Sequence, residues 1–203
     1  DDIALISDAG TPLISDPGYR IVAEARKREI TVAPIPGACA AIAALSVSGL
    51  PTDSFYFGGF LPVKSGQRKT ALSALKSSTN TLVFYEAPHR ILETVEDLLD
   101  VFGGQRQAFM GREISKAFET FLQGDLTHLR KQIAEDSNQQ RGEIVLVIAG
   151  TDEKAETSAV DPEMVLKLLL KELPASKAAS LTAKICGLDK KSIYQTALRL
   201  QDK

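Results

Sequence analysis

Cysteine is scarce in this chain. Cys39 and Cys186 stand far apart with no CxxC between them, which argues against both a zinc cluster and a disulfide framework. Reduced thiols in a cytoplasmic protein are the simplest expectation, with no metal site. No apolar run approaches the roughly 20 residues that a membrane-spanning helix needs. No basic-then-apolar signal segment opens the sequence. There is no GxGxxG and no GxxxxGK[ST], which weakens dinucleotide-binding and P-loop readings. Internal repeats and low-complexity tracts are also missing. Net charge is only −2, so a generally basic nucleic-acid coat is excluded.

What is present is an ordinary globular composition: 203 residues, 44% hydrophobic and 25% charged. That length buries a sizeable core in one to two domains. The charge is unevenly spread. Met164 to Lys203 carries eight Lys/Arg against three Asp/Glu, a net +5, which leaves −7 on the rest. A basic tail on an acidic body suits a local footprint on a polyanion; a solvated helical face gives the same count.

The most informative stretch is Ile3 to Gly18. An apolar run, Ile3–Ser7, stops at a loop with two acids, two prolines and two glycines. A buried parallel strand that delivers a ligand loop at its C-terminal edge has this form; so does a well-capped turn without a ligand. Asp16-Pro17 reads as a helix cap followed by proline in the first turn, opening a helix over Tyr19–Arg28. A strand at Thr31–Ile35 and a helix at Ala38–Ser48 complete an α/β unit with parallel strands.

Beyond Asp53 a second α/β layer follows. Strands are expected at Phe55–Phe57, Thr81–Tyr85, Gln107–Gly111, Glu119–Leu122 and Glu143–Ala149. Helices are expected at Gln67–Lys76, Pro88–Phe102 and Leu126–Glu135, the second strongly amphipathic through Ile91, Leu92, Val95, Leu98, Leu99 and Phe102. A polar linker leads to Asp161-Pro162, a cap, and then to three short helices: Pro162–Glu172, Ala175–Ile185 and Lys190–Gln201. The expected division is therefore 1–52, 53–150, a linker at 151–161, and a helical segment at 162–203.

Six motifs occur in order: Ser7-Asp8-Ala9-Gly10-Thr11-Pro12, Pro34-Ile35-Pro36-Gly37-Ala38-Cys39-Ala40-Ala41, Gly59-Phe60-Leu61-Pro62, Phe84-Tyr85-Glu86-Ala87-Pro88-His89-Arg90-Ile91, Gly111-Arg112-Glu113-Ile114-Ser115-Lys116 and Arg141-Gly142-Glu143-Ile144-Val145. In that order the chain resembles the tetrapyrrole-methylase-like (class III) S-adenosylmethionine methyltransferases along its whole length. Within them it is most similar to members that 2′-O-methylate a cytidine of small-subunit ribosomal RNA. The resemblance implies two α/β domains of the tetrapyrrole methylase type with a helix-turn-helix-like tail, and S-adenosylmethionine in the cleft between the two domains. It also implies a homodimer acting on ribosomal RNA or the assembled small subunit. The family places a further cofactor loop on an earlier strand that this sequence does not show, so a truncated N-terminus, and weakened cofactor binding, are expected.

By the same resemblance, Ile6, Ser7, Asp8, Ala9 and Thr11 form one side of the cofactor site, with Cys39 and Ala40, Glu86, Ile114, Gly142 and Glu143. Cys39 stands where the family usually has Ser or Thr and donates a weaker hydrogen bond. Methyl transfer from a sulfonium is mainly a positioning problem. A ribose hydroxyl is a poor nucleophile, however, so Glu86, Glu113 or a neutral Lys116 is a candidate base. A structural Arg–Glu pair accounts for the same residues.

Phe60, Lys64, Arg68 and Lys69 combine an aromatic with cations in a loop, which suits single-stranded RNA. His89, Arg90 and Arg112 follow strands and are candidates for phosphate; Arg90 paired to Glu86 or Glu93 is the alternative. In the tail, Ser176 to Ala179, Ala183, Gly187 and Ser192 to Tyr194 are spaced like a helix-turn-helix. Lys177, Lys190 and Lys191 are its expected RNA contacts. Two other functions remain open: C-methylation of a tetrapyrrole precursor, and a DNA-binding regulator whose α/β part senses a small ligand.

Overall fold

The computed structural model describes residues 2–151 and 162–201. The chain divides into two compact units, one up to residue 152 and one from 153 onward.

The first unit is organised by two runs that are apolar at nearly every position. TLVFYE and IVLVI form β2 (Thr81–Glu86) and β5 (Ile144–Ile148), almost wholly buried. Strands covered on both faces read this way, without polar alternation. They lie side by side in a five-stranded sheet of order β1-β2-β5-β3-β4, with β1 (Phe55–Phe60), β3 (Gln107–Arg112) and β4 (Thr120–Asp125) completing it. Only β1 and β2 run parallel; the other neighbours are antiparallel.

Side-chain alternation then divides the core. Leu82, Phe84, Met110, Leu146 and Ile148 face one side, under the helices that carry Leu72, Ile91, Val95, Leu98, Leu126 and Leu129. These are α3 (Ser65–Ser73), α4 (Ile91–Phe102) and α5 (Leu126–Glu135). Val83, Phe109, Val145 and Val147 face the other side, against Ala41, Ala44 and Leu45 of α2 (Ala40–Val47). The small residues of α2 let its backbone come close to the sheet. Within the sheet, Gly58 of β1 lies so close to β2 that a Cβ would meet the Phe84 ring at 2.5 Å, and β1 shifts register between Phe57 and Gly59.

The first third of the chain departs from expectation. Neither Ile3–Ser7 nor Thr31–Ile35 forms a strand. A strand needs neighbours for its N–H and C=O groups, and none lies beside these segments among the described residues. Ile6 and Ile35 are each 84% exposed. The segments are fastened by Thr11 instead, whose N–H and hydroxyl both donate to Ala38 O (2.8 and 3.0 Å). α1 (Tyr19–Lys27) begins after Gly18, at φ 129°, with no side-chain cap. Asp16 does not cap it, because its carboxylate accepts from Ser7 Oγ at 2.6 Å. Residues 1–52 and 53–150, expected as two domains, lie in one unit.

The remaining elements match closely. β1 and β4 run a few residues further than expected. The helix at Pro88 opens with one 3₁₀ turn, Pro88–Arg90, before α4. The expected linker, apart from Thr151, and the Asp161 cap lie outside the described residues.

The second unit packs α6 (Pro162–Leu170), α7 (Ala175–Cys186) and α8 (Lys190–Gln201) around Leu166, Ala178, Ala179, Ala183, Ile193 and Ala197. Gly187 makes the turn at φ 66°, and Leu188 N–H donates back to Ala183 O (3.0 Å). Asp189 then accepts from Ser192 N–H (3.0 Å) at the start of α8. This is the expected glycine-turned helix pair.

Candidate functional site

Because β1, β2 and β3 point the same way, their C-terminal ends share one edge of the sheet with the N-terminal ends of β4 and β5. Phe60 pairs with Tyr85, Glu86 with Ile144, Ile144 with Arg112, and Arg112 with Thr120. Within this unit a cleft of about 300 Å³ opens at that edge. Its lining is Ile14, Ser15, Asp16, Ala40, Phe60, Tyr85, Glu86, Pro88, Gly142, Glu143, Ile144 and Val145. Of the expected cofactor residues it gathers Ala40, Glu86, Gly142 and Glu143. Ile6, Ser7, Asp8, Ala9, Thr11, Cys39 and Ile114 do not line it. Ser7 instead holds Asp16, which does. The Thr11 hydroxyl is spent on Ala38 O, and Ile114 packs against the α2 side of the core.

Tyr85, within the motif Phe84 to Ile91, also lines the cleft although the sequence does not mark it as a site residue. On an apolar strand its only signal was a hydroxyl next to Glu86. Its ring stands edge-on to Phe57 and Phe60, at 5.1 and 5.7 Å between centroids. Its hydroxyl accepts from Ala41 N–H (3.3 Å) at the start of α2. Burial, with the Cys39 thiol beside it, raises its pKa above the ordinary 10.0.

Glu86 is buried, and both its oxygens are occupied. Oε1 accepts from Ala87 N–H (2.7 Å) and from Arg90, and Oε2 accepts from Thr94 Oγ1 (2.6 Å). A carboxylate so engaged is a structural anchor, so the expectation of a base at Glu86 is corrected. Arg90 is correspondingly buried at 9% exposure. Of its two readings the Glu86 pair is the one observed, while His89 beside it is exposed.

A second carboxylate group flanks the cleft at the β3 end. Glu113, at φ 51°, accepts from Glu143 N–H (2.8 Å) and from Lys116 Nζ (3.0 Å) through Oε1. Lys116 also meets Glu143 Oε2 at 3.2 Å. The Glu143 N–H, then Lys116, hold the Glu113 carboxyl below its ordinary 4.5. Glu113, then Glu143, raise Lys116 above 10.5. Lys116 is therefore a cation at neutral pH, and the expected neutral lysine base is corrected. Gly142 is required here: at φ 77°, its Cβ would meet the Glu113 carboxyl at 2.5 Å.

The expected RNA-contacting cations separate. Arg68 is fully buried. Its Nε donates to Asp97 Oδ2 (2.6 Å), its Nη1 donates to Pro62 O and Val63 O (3.3 and 3.2 Å), and its Nη2 meets Glu93 (3.1 Å). Its charge supports the loop from below, and contact with RNA is ruled out by burial. Arg112 is buried too, donating to Thr120 Oγ1 and Phe118 O. Lys69 is half-exposed and tied to Asp100 at 2.6 Å, while Phe60 and Lys64 are exposed. In the second unit Lys177, Lys190 and Lys191 are all exposed. Among the described residues no cluster could hold a metal ion, and no helix is long and apolar enough to cross a membrane.

The cleft suits S-adenosylmethionine. Ala40 and Gly142 leave backbone open to a ligand, Tyr85 supplies aromatic surface, and Asp16 supplies a carboxylate for hydroxyl or ammonium groups.

A mixed sheet with its cleft at this edge defines a class: a family model described as "Tetrapyrrole (Corrin/Porphyrin) Methylases" matches residues 1–130. A second, described as "RsmI C-terminal HTH domain", matches residues 156–201. The fold also resembles the methyltransferase CobJ, with TM-score 0.51, 14% identity, and coverage of 70% of this chain and 62% of that one. A conserved hypothetical protein from Aeropyrum pernix K1 gives TM-score 0.50 and 16% identity, covering 93% and 66%. Sequence relatives are much nearer. "Ribosomal RNA small subunit methyltransferase I" of Pseudomonas aeruginosa is 53% identical over all of this chain and 73% of its own length. The protein of the same name from Vibrio cholerae is 49% identical over 97% and 68%. The chain belongs to the ribosomal RNA small subunit methyltransferase I family and is an S-adenosylmethionine-dependent methyltransferase.

Proposed function

We propose that this chain 2′-O-methylates a cytidine ribose in small-subunit ribosomal RNA, acting in the cytoplasm as a homodimer. The observation that carries the reading is the 53% identity along the whole chain to a protein named "Ribosomal RNA small subunit methyltransferase I", supported by a cleft whose lining suits the cofactor. Neither a tetrapyrrole substrate nor duplex DNA is favoured by any feature of the site.

The cofactor supplies a methyl group on a cationic sulfur. The chain has to hold the ribose hydroxyl in line with it and accept a proton as the new C–O bond forms. Glu143 takes that proton. It lines the cleft, its side chain is 73% exposed, and among the described residues its carboxylate pairs with Lys116. Lys116 steers it and stays charged. Phe60 and Lys64 meet the RNA beside the cleft, His89 adds a further contact, and Lys177, Lys190 and Lys191 anchor the tail on phosphate.

The test incubates unmethylated small ribosomal subunits with the protein and labelled S-adenosylmethionine, then hydrolyses the RNA in alkali. A 2′-O-methyl group removes the internal nucleophile, so one linkage after a cytidine should resist cleavage. Label on a base, or none on RNA while a tetrapyrrole is labelled, would overturn the reading.

A further inference from the structure

We propose that Phe118 is a stacking platform for a base of the RNA substrate, distinct from the base that Phe60 meets; the inference rests on the ribosomal RNA reading above. Phe118 is 74% exposed, more than any other aromatic among the described residues. A large apolar ring left in water forgoes the stabilisation of burial, yet the loop that carries it is held firmly. The buried Arg112 donates from Nη2 to Phe118 O (2.8 Å) and from Nε to Thr120 Oγ1 (2.9 Å). Ser115 N–H donates to Glu119 Oε2 (2.6 Å), and Lys116 N–H donates to Glu113 O (2.9 Å). A rigid ring with two side-chain angles loses little freedom when a base lies on it, as aromatic stacking of unpaired nucleotides requires.

Its place fits that role. The loop joins β3 to β4 at the same sheet edge as the cleft, and Lys116 on the loop reaches Glu143 in the cleft wall at 3.2 Å. Phe60 ends β1, three strand positions away in the order β1-β2-β5-β3, or about 14 Å at the usual strand spacing. One base cannot lie on both rings, so the RNA would cross the cleft with different nucleotides on each. Charge contributes little at this end, because Glu113 and Glu143 already neutralise Lys116.

The experiment compares the unsubstituted full chain with F118A, F118L and F118W. It measures affinity for unmethylated small subunits across a salt series, together with S-adenosylhomocysteine affinity and solution mass. Loss of one stacked base weakens F118A by tenfold or more. F118L, apolar without a π face, falls with it, and F118W restores binding. The slope of affinity against salt stays the same, since no phosphate contact is removed, and cofactor affinity is unchanged. Wild-type binding by F118A, or equal binding by F118L and F118W, overturns the proposal. A change in cofactor affinity would make the ring a loop support, and a change in mass would make it a contact between copies; either overturns it. If the unsubstituted protein fails to bind subunits, the ribosomal reading falls and this inference falls with it.

Discussion

Two groups of acids flank one cleft and behave oppositely. At the β2 end, Glu86 is buried with Arg90 and Thr94, and every oxygen is engaged. At the β3 end, Glu113, Lys116 and Glu143 stand nearer to solvent, with side chains 17%, 44% and 73% exposed. The same residue types therefore do different work. A buried carboxylate with both oxygens hydrogen-bonded fixes the end of a strand, and losing it would strand its buried partners. An exposed one that lines the cleft, as Glu143 does, is within reach of a substrate hydroxyl.

The contrast breaks most visibly at Glu86. E86A removes the partner of a buried guanidinium, and such losses cost about 3–5 kcal/mol. Urea unfolding should show a midpoint far below that of the unsubstituted protein, and methyl transfer should vanish with the fold. E143Q should leave the unfolding midpoint in place while lowering kcat by about 100-fold, the scale of a lost proton acceptor. If E143Q destabilised and E86A did not, the two ends would have been assigned backwards.

A pH series sharpens the β3 end. Folding holds the Glu113 carboxyl below 4.5, so its contribution is complete above that value and drains as pH falls through the lower, folded value. Lys116 has the opposite sign: its pKa is raised, so its contribution is complete below 10.5 and is lost only as pH climbs through the higher folded value. Stability should therefore be flat across neutral pH and fall on the acid side. In E113Q, which keeps an oxygen for Glu143 N–H, the acid fall should be shallower. The smallest effect is expected from Y85F, which leaves Ala41 N–H without its acceptor; about 1 kcal/mol in unfolding free energy is the scale of one such bond.

Much of the sheet was legible because β2 and β5 are apolar at consecutive positions, a pattern that only doubly covered strands need. The turn before α8 was legible from Gly187, whereas the Asp125 carboxylate that accepts from His128 N–H (2.8 Å) at the start of α5 was not singled out. What stayed hidden was long-range. Nothing local to Arg68 announces that Asp97 lies 2.6 Å from its Nε, so a charge in a loop read as an RNA contact. Ile3–Ser7 has the composition of a strand, but composition does not supply a neighbour. The candidate site was half visible: Ala40, Glu86, Gly142 and Glu143 came from motifs, whereas Tyr85 and Phe118 depend on which elements meet at the sheet edge.

The strand order also sets a timetable. Among the described residues β5 is the last strand to leave the ribosome, yet it sits in the middle of the sheet, paired to β2 on one side and to β3 on the other. Until residue 148 has emerged, β1 with β2 and β3 with β4 are two separate ribbons, each with an apolar edge waiting for a partner. Only then can the sheet join, and the cleft form between halves made at different moments of synthesis. The helices α6 to α8 follow with contacts that are close in sequence, a topology that folds fast. This part of the nascent chain is therefore most vulnerable to association just before β5 appears.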